Sequence, residues 1–204
     1  MKFYLAGQWV ERSETIPVLN PFDQQVIDTV PRATASDIEE ALAAATKGSD
    51  SMAALSAYDR FLILRKAADR LRKDKESLAT TLSAEEGKTL AEARSEIDRS
   101  AQTLELSGEE AKRLEGEVLP LDAGEGVQGK LGFTLRVPCG VVVAISPFNF
   151  PLNLVCHKIG PAIAGGNATI LKPASDTPLV AIELVKILLE LSLIHISEPT
   201  RHLF

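Results

Sequence analysis

Val137-Pro138-Cys139-Gly140-Val141-Val142-Val143-Ala144-Ile145-Ser146-Pro147-Phe148-Asn149-Phe150-Pro151 is the stretch on which the fold turns. Residues 141–145 form an unbroken apolar, largely β-branched run. A strand without polar alternation is expected to be buried on both faces, as in a parallel sheet. Ligands of open α/β sheets collect at the carboxyl ends of strands, which places function at the exit, 146–151. Pro151 suits the first turn of a helix. Leu152, Val155, Ile159 and Ile163 then recur at helical spacing until Gly165-Gly166-Asn167 closes it. A second apolar run, 168–171, leads into Lys172-Pro173. The pattern is a βαβ unit with an amide, Asn149, at one strand exit and an ammonium, Lys172, at the next.

Composition bounds the rest. The chain has 204 residues, 45% hydrophobic and 25% charged, enough for one sizeable core or two small ones. A net charge of -6 argues against nucleic acid and anionic membranes as partners. Cys139 and Cys156 both sit in apolar sequence and read as buried small hydrophobes rather than a disulfide. No apolar leader follows Met1-Lys2 and no run approaches the roughly 20 residues of a membrane helix, so the expected address is the cytoplasm.

In chain order, residues 3–10 read as two short strands hinged at Gly7-Gln8. A turn follows at Asn20-Pro21-Phe22-Asp23, then a strand over 26–30. Ser36-Asp37-Ile38-Glu39 has the form of a capping box opening an alanine-rich helix to about Lys47, which Gly48 ends. The next helix opens at Tyr58-Asp59-Arg60 and turns Leu62, Leu64, Ala67, Ala68 and Leu71 inward. Its basic residues, Arg60, Arg65, Lys66, Arg70 and Arg72, read as a solvated face balanced by acids rather than an anion site. A helix over 78–86 stops at Gly87-Lys88. The longest periodic segment, about 89–114, places Leu90, Ala93, Ile97, Ala101, Leu104 and Ala111 on one side and Glu92, Arg94, Glu96, Asp98 and Arg99 on a charged face. From the residues alone, Arg99 reads as an exposed ion pair with Glu96 or Asp98.

The glycine-rich stretch 121–130 lacks both the Lys-Ser/Thr ending and the strand-to-helix setting of a phosphate loop, and reads as a surface connection. Residues 129–137 read as a strand with Leu131, Phe133 and Leu135 on one face. His157 beside Cys156 is not a metal pair, because adjacent helical positions point about 100° apart and no second pair stands at ligand spacing. No metal site is expected.

The ordered set Pro138 to Pro151, Gly160-Pro-Ala-Ile-Ala-Gly-Gly-Asn167 and Leu171-Lys-Pro-Ala-Ser-Asp-Thr-Pro178 resembles the amino-terminal half of the aldehyde dehydrogenase superfamily. The resemblance covers about residues 1–190. It is nearest to members acting on small or anionic aldehydes, such as the non-phosphorylating glyceraldehyde-3-phosphate, lactaldehyde and phosphonoacetaldehyde dehydrogenases. It implies an α/β fold: a partial doubly wound, Rossmann-like parallel sheet with an amino-terminal β-hairpin and long helices.

It also implies roles. Asn149 matches the family's oxyanion donor, although by sequence alone it equally reads as a cap for the helix that follows. Ser146, Pro147 and Phe148 fall on the nicotinamide side. Lys172 and Ser175 fall on the adenosine ribose; their bland readings are a solvent-facing strand end and a cap for a helix over 178–190. Serine replaces the glutamate that many NAD-preferring members carry, removing a repulsion against a 2′-phosphate, so the cofactor is expected to be NADP, or both NADP and NAD. Glu96 to Gln102, followed by Glu109 to Val118, is similar to the segment in which phosphorylated-glyceraldehyde enzymes place an arginine on the phosphate. This makes Arg99 a candidate for an anionic tail, with Phe150 on the substrate side.

The family's nucleophilic cysteine, general-base glutamate and oligomerisation segment have no counterpart in these 204 residues, and neither cysteine matches the nucleophile's setting. The expectation is therefore an NAD(P)-dependent enzyme oxidising a small-molecule aldehyde to an acid, homo-oligomeric at full length, with this chain an inactive part of it. A different class is a short non-enzymatic module that keeps part of a dinucleotide-binding fold. Residues 1–190 are expected to be the native part. Residues 191–204, Leu-Ser-Leu-Ile-His-Ile-Ser-Glu-Pro-Thr-Arg-His-Leu-Phe, read as a translated sequencing adapter; the alternative is that Leu191 to Ile196 extend the preceding helix.

Overall fold

A computed structural model describes residues 1–195 of the chain. It opens with the antiparallel hairpin β1 (Phe3–Leu5) and β2 (Gln8–Val10), and a second pair follows, β3 (Thr15–Leu19) with β4 (Val26–Pro31). The sequence pattern did not disclose β3, because Pro17 interrupts its apolar alternation. Four helices come next: α1 (Ala35–Ala54), α2 (Ala57–Lys73), α3 (Lys75–Glu86) and α4 (Leu90–Ala111). A minimal pair, β5 (Val118–Leu119) and β6 (Gly132–Phe133), brackets the glycine-rich connection. The chain then enters β7 (Val141–Ile145), α5 (Asn153–Ala164), β8 (Ala168–Lys172) and α6 (Leu179–His195).

The expected α/β unit is present. β7 and β8 are parallel neighbours, with Val141 opposite Ala168 and Ile145 opposite Lys172. One core runs through the helices and under this pair. Leu64, Leu71, Leu82, Ile97, Leu104, Leu152, Ile159 and Leu184 are fully excluded from water. α4 and α5 approach closely at Gly160, where a Cβ would lie 2.8 Å from Ser107 Oγ. A smaller cluster joins Val18 and Val30 of the β3–β4 pair to Leu179 and Ile182 of α6.

Several expectations need correction. β7 is buried on one face only. Ala144 is buried while Val143 and Ile145 are exposed, because among the described residues the sheet has two strands and no layer covers its second face. The cap of α1 is Thr34, whose side chain accepts from Asp37 N while Asp37 returns a bond to Thr34 N, so the box lies two residues earlier than Ser36. Gly48 does not end α1, which runs through it to Ala54; with helical turns on both sides the backbone keeps its bonds and bears only glycine's modest propensity cost.

Arg60 is not a solvated surface charge. Its Nε donates to Ala164 O at 2.9 Å and Nη1 to Leu55 O at 2.5 Å, neutralising carbonyls at the ends of α5 and α1. Arg65, Arg70 and Arg72 pair with Asp69, Asp74, Glu105 and Glu190, in keeping with a balanced face. The strand expected over 129–137 shrinks to two residues, and Leu131, Phe133 and Leu135 are exposed because only Val118–Leu119 pairs with it.

Cys156 is buried as expected, and burial pushes its thiol well above the ordinary range. Cys139 is instead exposed, with Sγ 3.1 Å from Asn167 Oδ1. α6 extends to His195, so residues 191–195 continue the helix; the rest of the stretch read as an adapter, 196–204, lies outside the described residues. No described helix is long and apolar enough to cross a membrane.

Candidate functional site

The segment 146–153 leaves β7 and is held at Ser146, Phe148, Phe150, Leu152 and Asn153. Ser146 N donates to Lys172 O at 3.2 Å, continuing the parallel ladder and setting both strand exits at the same end of the sheet. Thr177, buried just before α6, donates its hydroxyl to Phe148 O at 3.4 Å. Two cations approach the Phe150 ring, Lys88 Nζ at 4.6 Å and Arg99 Cζ at 4.9 Å from its centroid. Leu152 N and Asn153 N donate to Glu96 Oε1 at 3.0 and 3.1 Å. Within the described residues the Asn149 amide makes no hydrogen bond, and the residue is exposed.

These contacts decide two open readings. Asn149 does not cap α5, because the first amides of that helix are taken by Glu96; Pro151 and Leu152 form a turn ahead of the helix rather than its first residues. Arg99 does not pair with Glu96 or Asp98. Asp98 holds Lys75 at 2.6 Å and Glu96 holds Lys88 at 2.5 Å, so Arg99 is left exposed over Phe150.

Glu96 is the main correction to the charged face assigned to α4, since its carboxylate is fully buried. The signal was phase: Glu96 stands three residues after Ala93 and four before Ser100, on the stripe that also buries Ile97 and Leu104. Glu85 repeats the device on α3. It is buried, follows Leu82 by three positions, and accepts from Leu179 N at 2.7 Å and Val180 N at 3.0 Å at the start of α6. Burial outweighs these two bonds and raises its carboxyl from the ordinary 4.5 to about 7. Both glutamates thus stand at starts of helices that follow strand exits of the βαβ unit.

On the second exit, Lys172 and Ser175 are exposed and make no side-chain hydrogen bond or ion pair within the described residues. Ser175 is therefore not a cap of α6. Asp176, also exposed, stands beside it. Ser146 Oγ is buried and has no hydrogen-bond partner among the described residues. His157 is exposed on α5, 3.5 Å from Thr103 Oγ1, and no group of three or more metal-ligating side chains occurs among the described residues.

Parallel neighbouring strands with polar side chains at adjoining exits are the architecture of nucleotide-binding α/β proteins. Residues 9–193 match the Aldehyde dehydrogenase family, and the chain belongs to it. It is 43% identical over 190 residues to the 3-sulfolactaldehyde dehydrogenase of Priestia aryabhattai, covering 93% of this chain and 39% of the relative. It is 41% identical over 188 residues to the lactaldehyde dehydrogenase of Methanococcus vannielii, covering 91% and 38%. The NADP-dependent glyceraldehyde-3-phosphate dehydrogenase of Bacillus halodurans C-125, solved with NADP, superposes with a TM-score of 0.90 at 32% identity, over 93% of this chain and 40% of that one. The chain therefore spans about two-fifths of the length of the relatives it matches.

Proposed function

We propose that this chain is the amino-terminal part of an NAD(P)-dependent aldehyde dehydrogenase, an oxidoreductase that converts an aldehyde and water to a carboxylic acid while reducing the cofactor. The observation that carries the reading is the pair of strand exits on parallel neighbours: Ile145 stands opposite Lys172, whose ammonium is exposed, and the Asn149 amide, without a partner among the described residues, follows four residues after Ile145. Residues 1–190 supply the amino-terminal part of the NAD(P)-binding domain. The intact protein is a cytoplasmic homo-oligomer, an assignment checked by fractionation and light scattering.

The residues present fit the cofactor. Lys172 and Ser175 offer a cation and a hydroxyl without internal partners, suited to a phosphorylated ribose, and the orphaned Ser146 hydroxyl stands with Pro147 and Phe148 on the nicotinamide side. NADP is preferred over NAD, because Ser175 brings no carboxylate against a 2′-phosphate; the NADP-bound relative is in line with this. When bound, the cofactor accepts the hydride released from the aldehyde carbon.

The chain's own contribution is binding and charge stabilisation. Asn149 donates to the substrate oxygen as it becomes an oxyanion, and a neutral amide does so without titrating. Arg99 holds the substrate's anionic tail by a bidentate fork, with Phe150 against the tail. Two of the three relatives above act on sulfonated or phosphorylated aldehydes by name, the third on lactaldehyde. The nucleophile and base come from outside these residues. The purified chain is therefore expected to bind NADP more tightly than NAD by calorimetry, and to oxidise neither lactaldehyde nor glyceraldehyde-3-phosphate. Turnover by the chain alone would overturn the reading.

A further inference from the structure

We infer that Glu96 and Lys88 are positioning residues for Asn149: a buried charge cluster on α3–α4 that sets the backbone of the strand exit from below. This rests on the reading of Asn149 as the oxyanion donor. Both Glu96 oxygens are engaged, Oε1 by the amides of Leu152 and Asn153 and Oε2 by Lys88 Nζ at 2.5 Å. Lys88 is almost buried, also contacts Glu86 Oε2 at 2.6 Å, and presses on the Phe150 ring. One carboxylate and one ammonium therefore hold residues 150, 152 and 153, immediately after Asn149.

The arrangement explains two choices of residue type. A carboxylate can accept two backbone N–H groups on one oxygen while the other takes an ammonium; an amide side chain would turn an N–H group toward Lys88 or toward the helix. A flexible cation at 88 follows the ring without leaving its carboxylates, whose two negative charges keep it from reaching outward. Phe150 thus contacts both a nearly buried ammonium neutralised by Glu86 and Glu96 and the exposed Arg99 guanidinium, which stays available to an anion. Loop placement and tail recognition thus share one aromatic ring.

Hydrogen exchange read by mass spectrometry on the full 204-residue chain tests this at low micromolar concentration. In the unsubstituted chain, amides within 148–154 are expected to be protected. Glu96→Gln and Lys88→Met are each expected to speed exchange there about tenfold or more while peptides from α2 stay unchanged; Lys88→Arg, which keeps the cation, restores most of the protection. Three results would overturn the proposal: no protection of 148–154 in the unsubstituted chain, unchanged exchange in both variants, or equal acceleration in α2, which would make Glu96 a general core residue. The readout does not involve the Asn149 side chain, so it separates from the reading of that amide. If Asn149→Ala leaves catalysis intact while the exchange results hold, the oxyanion assignment alone fails.

Discussion

From the oxyanion role proposed for Asn149, Asn149→Ala in the full-length protein is expected to lower kcat about 10²- to 10³-fold, about 2.7 to 4 kcal/mol of barrier, with KM for the aldehyde changed little. That is the magnitude for removing one preorganised donor to an oxyanion, and the pattern for an interaction made only in the transition state. The amide suits the role because nothing in the described chain competes for it, while the residues on both sides of it are held by Thr177, Lys88 and Glu96. Asn149→Asp keeps the shape but places a negative charge against the developing one, and is expected to be at least as slow. Single-turnover rates with a saturating aldehyde read this directly. A loss below threefold in Asn149→Ala would remove the residue from the chemistry.

Stability should depend on pH through Glu85. Its carboxyl titrates near 4.5 when unfolded and near 7 when folded, since burial among α3 and α6 disfavours the charge more than the amides of Leu179 and Val180 favour it. A carboxyl with a raised folded pKa binds its proton more tightly in the native state. Its favourable contribution is therefore complete below pH 4.5, falls as pH rises, and is gone above about 7. At about 1.4 kcal/mol per pH unit the window is worth about 3 kcal/mol. Neighbouring Glu96 adds to the effect by repelling the charge. Relative to the unsubstituted chain, Glu85→Gln is expected to gain about 3 kcal/mol between pH 4.5 and pH 8 in urea titrations. Parallel profiles of the two proteins would contradict it.

Much of the βαβ unit was legible because its signals are local. An apolar run, helical spacing at Leu152, Val155, Ile159 and Ile163, and the Gly165-Gly166 stop each need only a dozen residues, and the helix and both strands stand within two residues of their expected bounds. Cap position was less legible, since Thr34 and Ser36 are both good caps and each has an acid three residues on; in the structure it is Thr34 and Asp37 that form the box. The segment 129–137 alternates like a strand, but alternation does not supply a partner, and its apolar side chains stay exposed.

At the strand exits, Asn149 and Lys172 are singled out in the sequence by their place at strand ends and by family likeness. Residue type places Glu96 and Glu85 at the surface, and only helical phase places them inside. A glutamate on the apolar stripe of an amphipathic helix signals a buried acceptor, and here the donors lie 56 and 94 residues further along the chain, at Leu152 and Leu179. The freedom of Arg99 was likewise out of reach of sequence, because it depends on Lys75 and Lys88 claiming the nearby acids.

The most direct measurement is an NMR titration of the isotopically labelled chain with NADP. The amides of residues 146, 148 and 149, at the exit of β7, and of Lys172 and Ser175, at and beyond the exit of β8, are expected to shift together with one saturation curve. Shifts confined to one exit, or clustered away from both, would contradict a single nucleotide cleft spanning the two strands.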